Sequence, residues 1–166
     1  MPQSADAPLV LHRDHVRPEW IDYNGHLNLA YYVLIFDYAT DAFLEAAGIT
    51  ESFRERENAS TFSAEIHVTY LRELHQGDPV RITTQLLDFD DKRIHYFHRM
   101  HHAQEGYLAA TNELLSLYMD MGSRRVTRMP AAVVERLDLL MRQHAGLPWP
   151  EQAGHVISVP GRSAHG

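Results

Sequence analysis

Residues 28–47, NLAYYVLIFDYATDAFLEAA, constrain the fold more than any other part of the chain. Leu29, Tyr32, Val33, Phe36, Thr40, Phe43, Leu44 and Ala47 recur at helical spacing, and Gly48 supplies the stop. The remaining faces carry Ala30, Tyr31, Leu34, Ile35, Tyr38, Ala42 and Ala46, so only Asp37, Asp41 and Glu45, at i, i+4 and i+8, sit comfortably in water. A helix apolar on nearly every side must be covered by another layer. The same three acids argue against its spanning a membrane.

The covering layer follows in the chain. Phe62, Ala64, Ile66, Val68 and Tyr70 alternate with Ser63, Glu65, His67 and Thr69, the period of a strand with one covered face. Gln76-Gly77-Asp78-Pro79 marks a turn, and strand runs are expected at 80–89, 93–103 and 107–120, parted by turns at 88–92 and 104–106. A first strand is expected between Leu9 and Arg17, broken by Pro18. Short turns between successive long strands predict a largely antiparallel meander. Pro130 opens a second helix, with Val133, Val134, Leu137, Leu140 and Met141 on one stripe. One strand, a long greasy helix and then several antiparallel strands make an α+β chain whose curved sheet wraps a central helix. The 166 residues suit one domain. The division expected is a flexible leader at 1–8, a single domain at 9–145 and an irregular arm at 146–166.

Composition removes several chemistries. A formal charge of −7 argues against nucleic acid as a partner, because phosphate binding rests on Lys and Arg. With no cysteine, disulfides, thiolate metal sites and a Cys nucleophile are ruled out, and a reducing cytoplasm fits. The opening MPQSADAPLV lacks the basic and apolar regions of a secretory signal.

Directly before the helix stands Trp20-Ile21-Asp22-Tyr23-Asn24-Gly25-His26-Leu27-Asn28. Asn24-Gly25 is a turn pair and Asn28 is placed to cap the helix. A cap needs one such side chain, yet Asp22, Asn24, His26 and Asn28 are all present. Free N–H groups and the positive end of the helix dipole suit a carbonyl oxygen on which negative charge builds. A carboxylate on the other side of that carbonyl would attack it or deprotonate a water that does, which is acyl-transfer chemistry. Glu65 is a second candidate carboxylate or an exposed strand charge. The histidines of His95-Tyr96-Phe97-His98-Arg99-Met100-His101-His102 fall on both faces of a strand, with His95 and His101 opposite His98 and His102, and read as ordinary strand positions, so no metal is expected.

On Asp22, Gly25, Asn28, Tyr31-Tyr32 and Phe36-Asp37 the chain resembles the hotdog-fold acyl-CoA thioesterases related to 4-hydroxybenzoyl-CoA thioesterase. The D-x-N-G-H-x-N form is also similar to plant acyl-carrier-protein thioesterases. WIDYNGHLNLAYYVLIFDYATDAFL, TYLRELHQGDPVRITTQLLDFDDKRIHYFHRMHH, GYLAATNEL and LPWPEQAGHVISVP look like the betainyl-CoA thioesterase branch associated with carnitine breakdown. The resemblance implies a hotdog fold, an acyl-CoA substrate, no cofactor, and a homodimer or homotetramer. It implies Asp22 as catalytic carboxylate, the backbone N–H groups near Asn28 and Leu29 as oxyanion site, and Asn24, His26 and Asn28 as orienting groups. A betainyl group requires a cage for a quaternary ammonium, for which Trp20, Tyr23 and Tyr31 are candidates. Coenzyme A phosphates require cations, with Arg72, Lys92, Arg93, Arg124, Arg125 and Arg128 as candidates. A hotdog hydratase or dehydratase and a non-catalytic acyl-CoA binding module are the competing expectations.

Overall fold

In the computed structural model, which describes residues 7–161, the long helix α1 spans Leu29–Ala46. Asn28 starts it by leaving its backbone extended and accepting the Ala30 N–H on its side chain at 3.0 Å. Tyr32, Ile35, Phe36, Ala39, Thr40, Phe43 and Leu44 are buried, while Asp37, Asp41 and Glu45 meet solvent. Leu29 departs from the expected apolar stripe: it is 63% exposed, because the first turn of α1 opens onto a cleft rather than the core. Residues 1–6 of the expected leader and 162–166 of the expected arm lie outside the described residues. Among the described residues no helix is long and apolar enough to cross a membrane.

A second helix, α2 (Glu51–Glu57), was not expected, since seven residues with Phe53 as their one buried side chain carry too little periodicity to read. Thr50 caps it by accepting the Phe53 N–H at 3.2 Å, and Asn58 ends it in the left-handed region at φ 47°.

The strands are β1 (Leu9–His15), β2 (Ala59–Tyr70), β3 (Pro79–Phe89), β4 (Arg93–His102), β5 (Leu108–Asp120) and the short β6 (Arg125–Val126). They form one sheet in the order β1-β3-β4-β5-β2, with β6 on β5 and every pairing antiparallel. The expected meander therefore holds for β3, β4 and β5 and fails for β2, which lies at the far edge beside β5. Residues 71–78 are a crossing rather than a hairpin turn. A Gly-Asp-Pro turn signature looks alike in both, because it reports local dihedrals and not the partner of the strand before it. The crossing is anchored by Leu74, which is fully buried and accepts the Leu27 N–H at 2.7 Å.

The strict alternation expected from Phe62 to Tyr70 is broken by a bulge between Ser63 and Glu65, which face Ser116 and Leu115 respectively. Ala64 and Ile66 are accordingly exposed. The sheet face toward α1 carries Ile82, Ile94, Tyr96, His98, Met100 and Leu114, all buried. Phe43 meets Tyr96 at 4.7 Å between ring centroids, and Phe36 stacks on His98 at 5.9 Å. A long helix held in a curled antiparallel sheet is the hotdog fold, an α+β architecture.

Helix α3 (Ala131–His144) begins after Pro130 as expected and packs against β3, where β1 no longer pairs beyond Thr84. His144 completes that edge: its Nδ1 accepts the Leu86 N–H at 2.9 Å, so the ring is neutral with its proton on Nε2, and burial holds its pKa below the usual value. The arm then lies across the sheet face turned away from α1. Gln85 donates to the Pro148 carbonyl at 3.2 Å, Trp149 meets His95, and the Gly154 N–H donates to Glu113 at 2.7 Å.

Candidate active site

The polar cluster is a tight loop whose shape its own residues dictate. Ile21 and Leu27 pair as an antiparallel bridge, and between them the Gly25 N–H donates to the Asp22 carbonyl at 3.0 Å. Gly25 sits at φ +82°, a left-handed position that glycine takes without steric cost. Within the loop the Asn24 N–H donates to Asp22 Oδ1 at 2.8 Å, an Asx turn that aims the carboxylate. The other oxygen, Oδ2, accepts from Asn28 Nδ2 at 3.1 Å, while Asn28 Oδ1 caps α1. One amide thus ties the acid to the start of the helix. The N–H of Leu29, at the first helical position, has no intrahelical carbonyl to meet and lies at the positive end of the α1 dipole.

A cleft of about 310 Å³ opens here. Asp22, Asn24 and His26 form its loop side, Leu29 and Tyr32 the helix mouth, and the segment Tyr70–Glu73 the opposite wall. His26 Nδ1 lies 3.3 Å from the Leu27 carbonyl and Nε2 3.8 Å from the Glu73 carboxylate. Tyr32 and Tyr70 meet edge to face at 5.2 Å, and the Tyr70 hydroxyl donates to the Leu29 carbonyl at 3.1 Å. Burial pushes the Tyr32 phenol up to about 12, so it stays protonated.

Of the residues expected at a site, Asp22, Asn24, His26, Leu29 and Arg72 line this cleft, and Asn28 supports it from behind. Others lie elsewhere. Trp20 is 4% exposed beneath the loop, with Tyr31 stacked on it at 5.6 Å and the Arg17 guanidinium over its ring at 4.6 Å. Its faces are taken by packing. Tyr23 stands at the loop tip, 97% exposed, and does not line the cleft. Glu65 opens instead on a separate cavity of about 590 Å³ on the sheet face under the arm, with Arg93, His95 and Glu113. Arg93 is held by Asp90 with its Nε at 2.8 Å, and its neighbour Lys92 shares that turn. Arg124 lies over Phe62 at 5.3 Å, Arg125 is in β6, and Arg128 pairs with Asp91 at 2.9 Å. These cations do not gather around Asp22. The cleft residues not expected at a site are Leu27 and Tyr32, both buried and apolar in pattern, and Tyr70, Leu71 and Glu73, which the crossing of β2 to the far edge brings to the loop.

The four strand histidines divide as their spacing predicts. His98 is buried between Thr40 and Thr84, His102 is buried and its Nδ1 accepts the Glu105 N–H at 3.1 Å, and His95 Nε2 pairs with Glu113 at 2.7 Å. His101 lies on the same face as His95, where burial and the nearby Arg81 and Arg99 hold its pKa down.

Sheet, helix and cleft together define a hotdog protein with a carboxylate fastened at the mouth of its central helix. The family comparison agrees, with a model described as the thioesterase-like superfamily matching residues 16–137. The chain belongs to this superfamily. It is 37% identical over 152 residues to a betainyl-CoA thioesterase of Pseudomonas aeruginosa, covering 92% of this chain and 96% of that one. It is 38% identical over 156 residues to an L-carnitine dehydrogenase/betainyl-CoA thioesterase of Agrobacterium fabrum, covering 92% of this chain and 31% of that longer protein. Among solved structures, a Staphylococcus aureus hypothetical protein in complex with CoA superposes with a TM-score of 0.87 at 31% identity, over 95% of this chain and 100% of that one.

Because Asn28 serves both the helix and the acid, its removal has a measurable cost in two places. Asn28→Ala is expected to lower stability by about 1 kcal/mol, the usual worth of a side-chain cap, and to release Asp22 Oδ2. Urea unfolding reads the first effect; an unchanged midpoint would mean that the cap contributes nothing here.

Proposed function

We propose that this chain hydrolyses acyl-CoA thioesters to a free acid and CoA, with betainyl-CoA as its preferred substrate. The observation that carries the reading is the single amide linking Asp22 to the first turn of α1, at 3.1 Å on one side and 3.0 Å on the other. Superfamily membership, the names of the relatives and the CoA-bound neighbour support it.

In this reading the thioester carbonyl oxygen points at the Leu29 N–H and Asp22 stands across the carbonyl carbon. As general base, Asp22 takes a proton from water while the water oxygen bonds to carbon. The carbonyl oxygen becomes an oxyanion held at the helix start. Collapse breaks the C–S bond, and the proton on Asp22 goes to the departing thiolate. As nucleophile, Asp22 instead bonds to the acyl carbon, expels the thiolate, and is freed when water cleaves the anhydride. Both routes build negative charge on the carbonyl oxygen that faces the same N–H. Asn24 and Asn28 fix the acid, and His26, beside Glu73, orients water or substrate.

The same reading includes an oligomer, a homodimer or homotetramer. β2 is a twelve-residue edge strand, and Ile66, Tyr70 and Leu71 leave 44%, 47% and 43% of their surface exposed along it and at the cleft. A second copy pairing at this edge would cover the unpaired backbone and add a wall to the cleft. A cytoplasmic setting belongs to the proposal, with acyl-CoA as the small-molecule partner.

A thiol-release panel over betainyl-, short-chain, long-chain and aromatic acyl-CoAs tests the activity. Free CoA thiol is expected from all accepted substrates, with the highest kcat/KM for betainyl-CoA. A protein that binds acyl-CoA yet releases no thiol from any of them, or that adds or removes water on the acyl chain, would be a binding module or a hydratase instead.

A further inference from the structure

A betainyl group is trimethylated glycine, so its nitrogen lies about 2.5 Å from the reacting carbonyl carbon, as N and C do across the Cα of any residue. A ring recognises such a cation within about 6 Å of its centroid. Whatever selects the ammonium must therefore line the cleft that holds Asp22, which excludes the packed Trp20 and the separate cavity at Glu65. A quaternary ammonium has no N–H to donate. Ring faces and fixed negative charge are what can bind it.

The cleft supplies both. Tyr70 is half exposed, and its hydroxyl is fastened to the Leu29 carbonyl at 3.1 Å, so its ring is held beside the helix start where the thioester oxygen docks. Tyr32 meets it edge to face from behind. Two carboxylates, Asp22 and Glu73, flank these rings, and a cation at the mouth of α1 needs them because the helix dipole repels positive charge there. Arg72, the arginine of this wall, has its guanidinium laid on the Tyr107 ring at 3.7 Å.

We infer that Tyr70, backed by Tyr32, and the Glu73 carboxylate select a short cationic acyl group by seating its quaternary ammonium against the Tyr70 ring. This rests on the proposed hydrolysis at Asp22 and deepens it. The selectivity resides in charge rather than in shape.

The test compares kcat/KM for betainyl-CoA with that for 3,3-dimethylbutyryl-CoA, which has the same outline with carbon in place of the charged nitrogen. The parent protein prefers betainyl-CoA. Tyr70→Leu lowers that preference by between about twofold and thirtyfold. Tyr70→Phe keeps the ring, still backed by Tyr32, but loses the tie to Leu29, and retains more of the preference than Tyr70→Leu. Glu73→Gln, a change at an exposed side chain, lowers it by about threefold to fivefold. Both residues line the cleft, so turnover of either substrate can fall; the quantity read is the ratio of the two kcat/KM values, in which a loss shared by both substrates cancels, and the unfolding midpoint of each variant checks its folding. Equal losses on both substrates, or a parent protein indifferent to the charge, would overturn the selectivity assignment while thiol release itself left the hydrolase reading standing. Release of thiol from neither substrate by the parent would overturn both.

Discussion

Replacing Asp22 by Asn is expected to slow thiol release from acyl-CoA by about a hundredfold to ten-thousandfold, the range associated with loss of a positioned general base or acid. Asparagine is the informative change because it preserves shape. Its carbonyl oxygen still accepts the Asn24 N–H, now bonded at 2.8 Å, so the loop keeps its Asx turn, and only the charge and one contact to Asn28 are lost. Acyl-CoA binding should then survive while kcat falls. Asp22→Ala removes the turn bond as well and should add a loss of loop order to the loss of chemistry. Measured together, kcat, substrate binding and the unfolding midpoint separate these effects. A well-folded Asp22→Asn protein with activity within tenfold of the parent would assign the base to another group. Retained binding with no activity in either protein would favour a non-catalytic module.

The second large effect lies in the core and appears on acidification. His98 is fully buried beneath α1, with Nε2 3.0 Å from Thr40 Oγ1 and Nδ1 2.8 Å from Thr84 Oγ1. Thr40 already donates its hydroxyl proton to the Phe36 carbonyl at 3.1 Å, so it accepts from the ring. The ring therefore carries its proton on Nε2 and accepts from Thr84 on Nδ1, a neutral tautomer satisfied on both sides. Burial lowers its pKa to about 3, against about 6.5 for a free histidine. Between those values the unfolded chain binds a proton that the folded protein refuses. Stability is therefore full above about pH 6.5 and falls as pH drops toward 3, by roughly 2 kcal/mol at pH 5 for this group. His144 is depressed by burial too and adds in the same direction. The contribution of His98 is isolated by His98→Gln, which keeps a hydrogen-bonding side chain but cannot titrate. The variant is weaker at pH 7.5 and loses less on going to pH 5. Urea midpoints at the two pH values measure this, and an identical pH dependence in parent and variant would refute it.

The elements legible in the sequence are those whose pattern one neighbouring layer imposes. Residues 29–46 read as a helix because the curled sheet leaves only the strip of Asp37, Asp41 and Glu45 to solvent beyond the first turn, and the capping role of Asn28 followed from its chemistry at an extended-to-helical junction. β3, β4 and β5 were legible for the same reason. Failure came where a partner was distant or a segment was short. Nothing in 71–78 announces that the chain crosses to the other side of the sheet, since its turn residues would serve a hairpin equally well. The bulge at Ser63 and Glu65 displaced one residue and undid the alternation beyond it. Helix α2 offered a single apolar anchor.

The site divides along the same line. Asp22, Asn24, Gly25, His26 and Asn28 lie within one loop, and short-range bonds between them suffice to shape it. Hence residue type and spacing were enough to place Asp22 in a loop at the start of the helix. Which aromatic rings face that acid was beyond them. Trp20 and Tyr31 lie close to Asp22 in the chain but stack on each other, whereas Tyr70 and Glu73 arrive from the far end of β2 through a strand order that no local pattern encodes. Nearby residues can be read from propensity and capping, but the walls of a cleft depend on which strands pair, and pairing is a property of the whole folded chain.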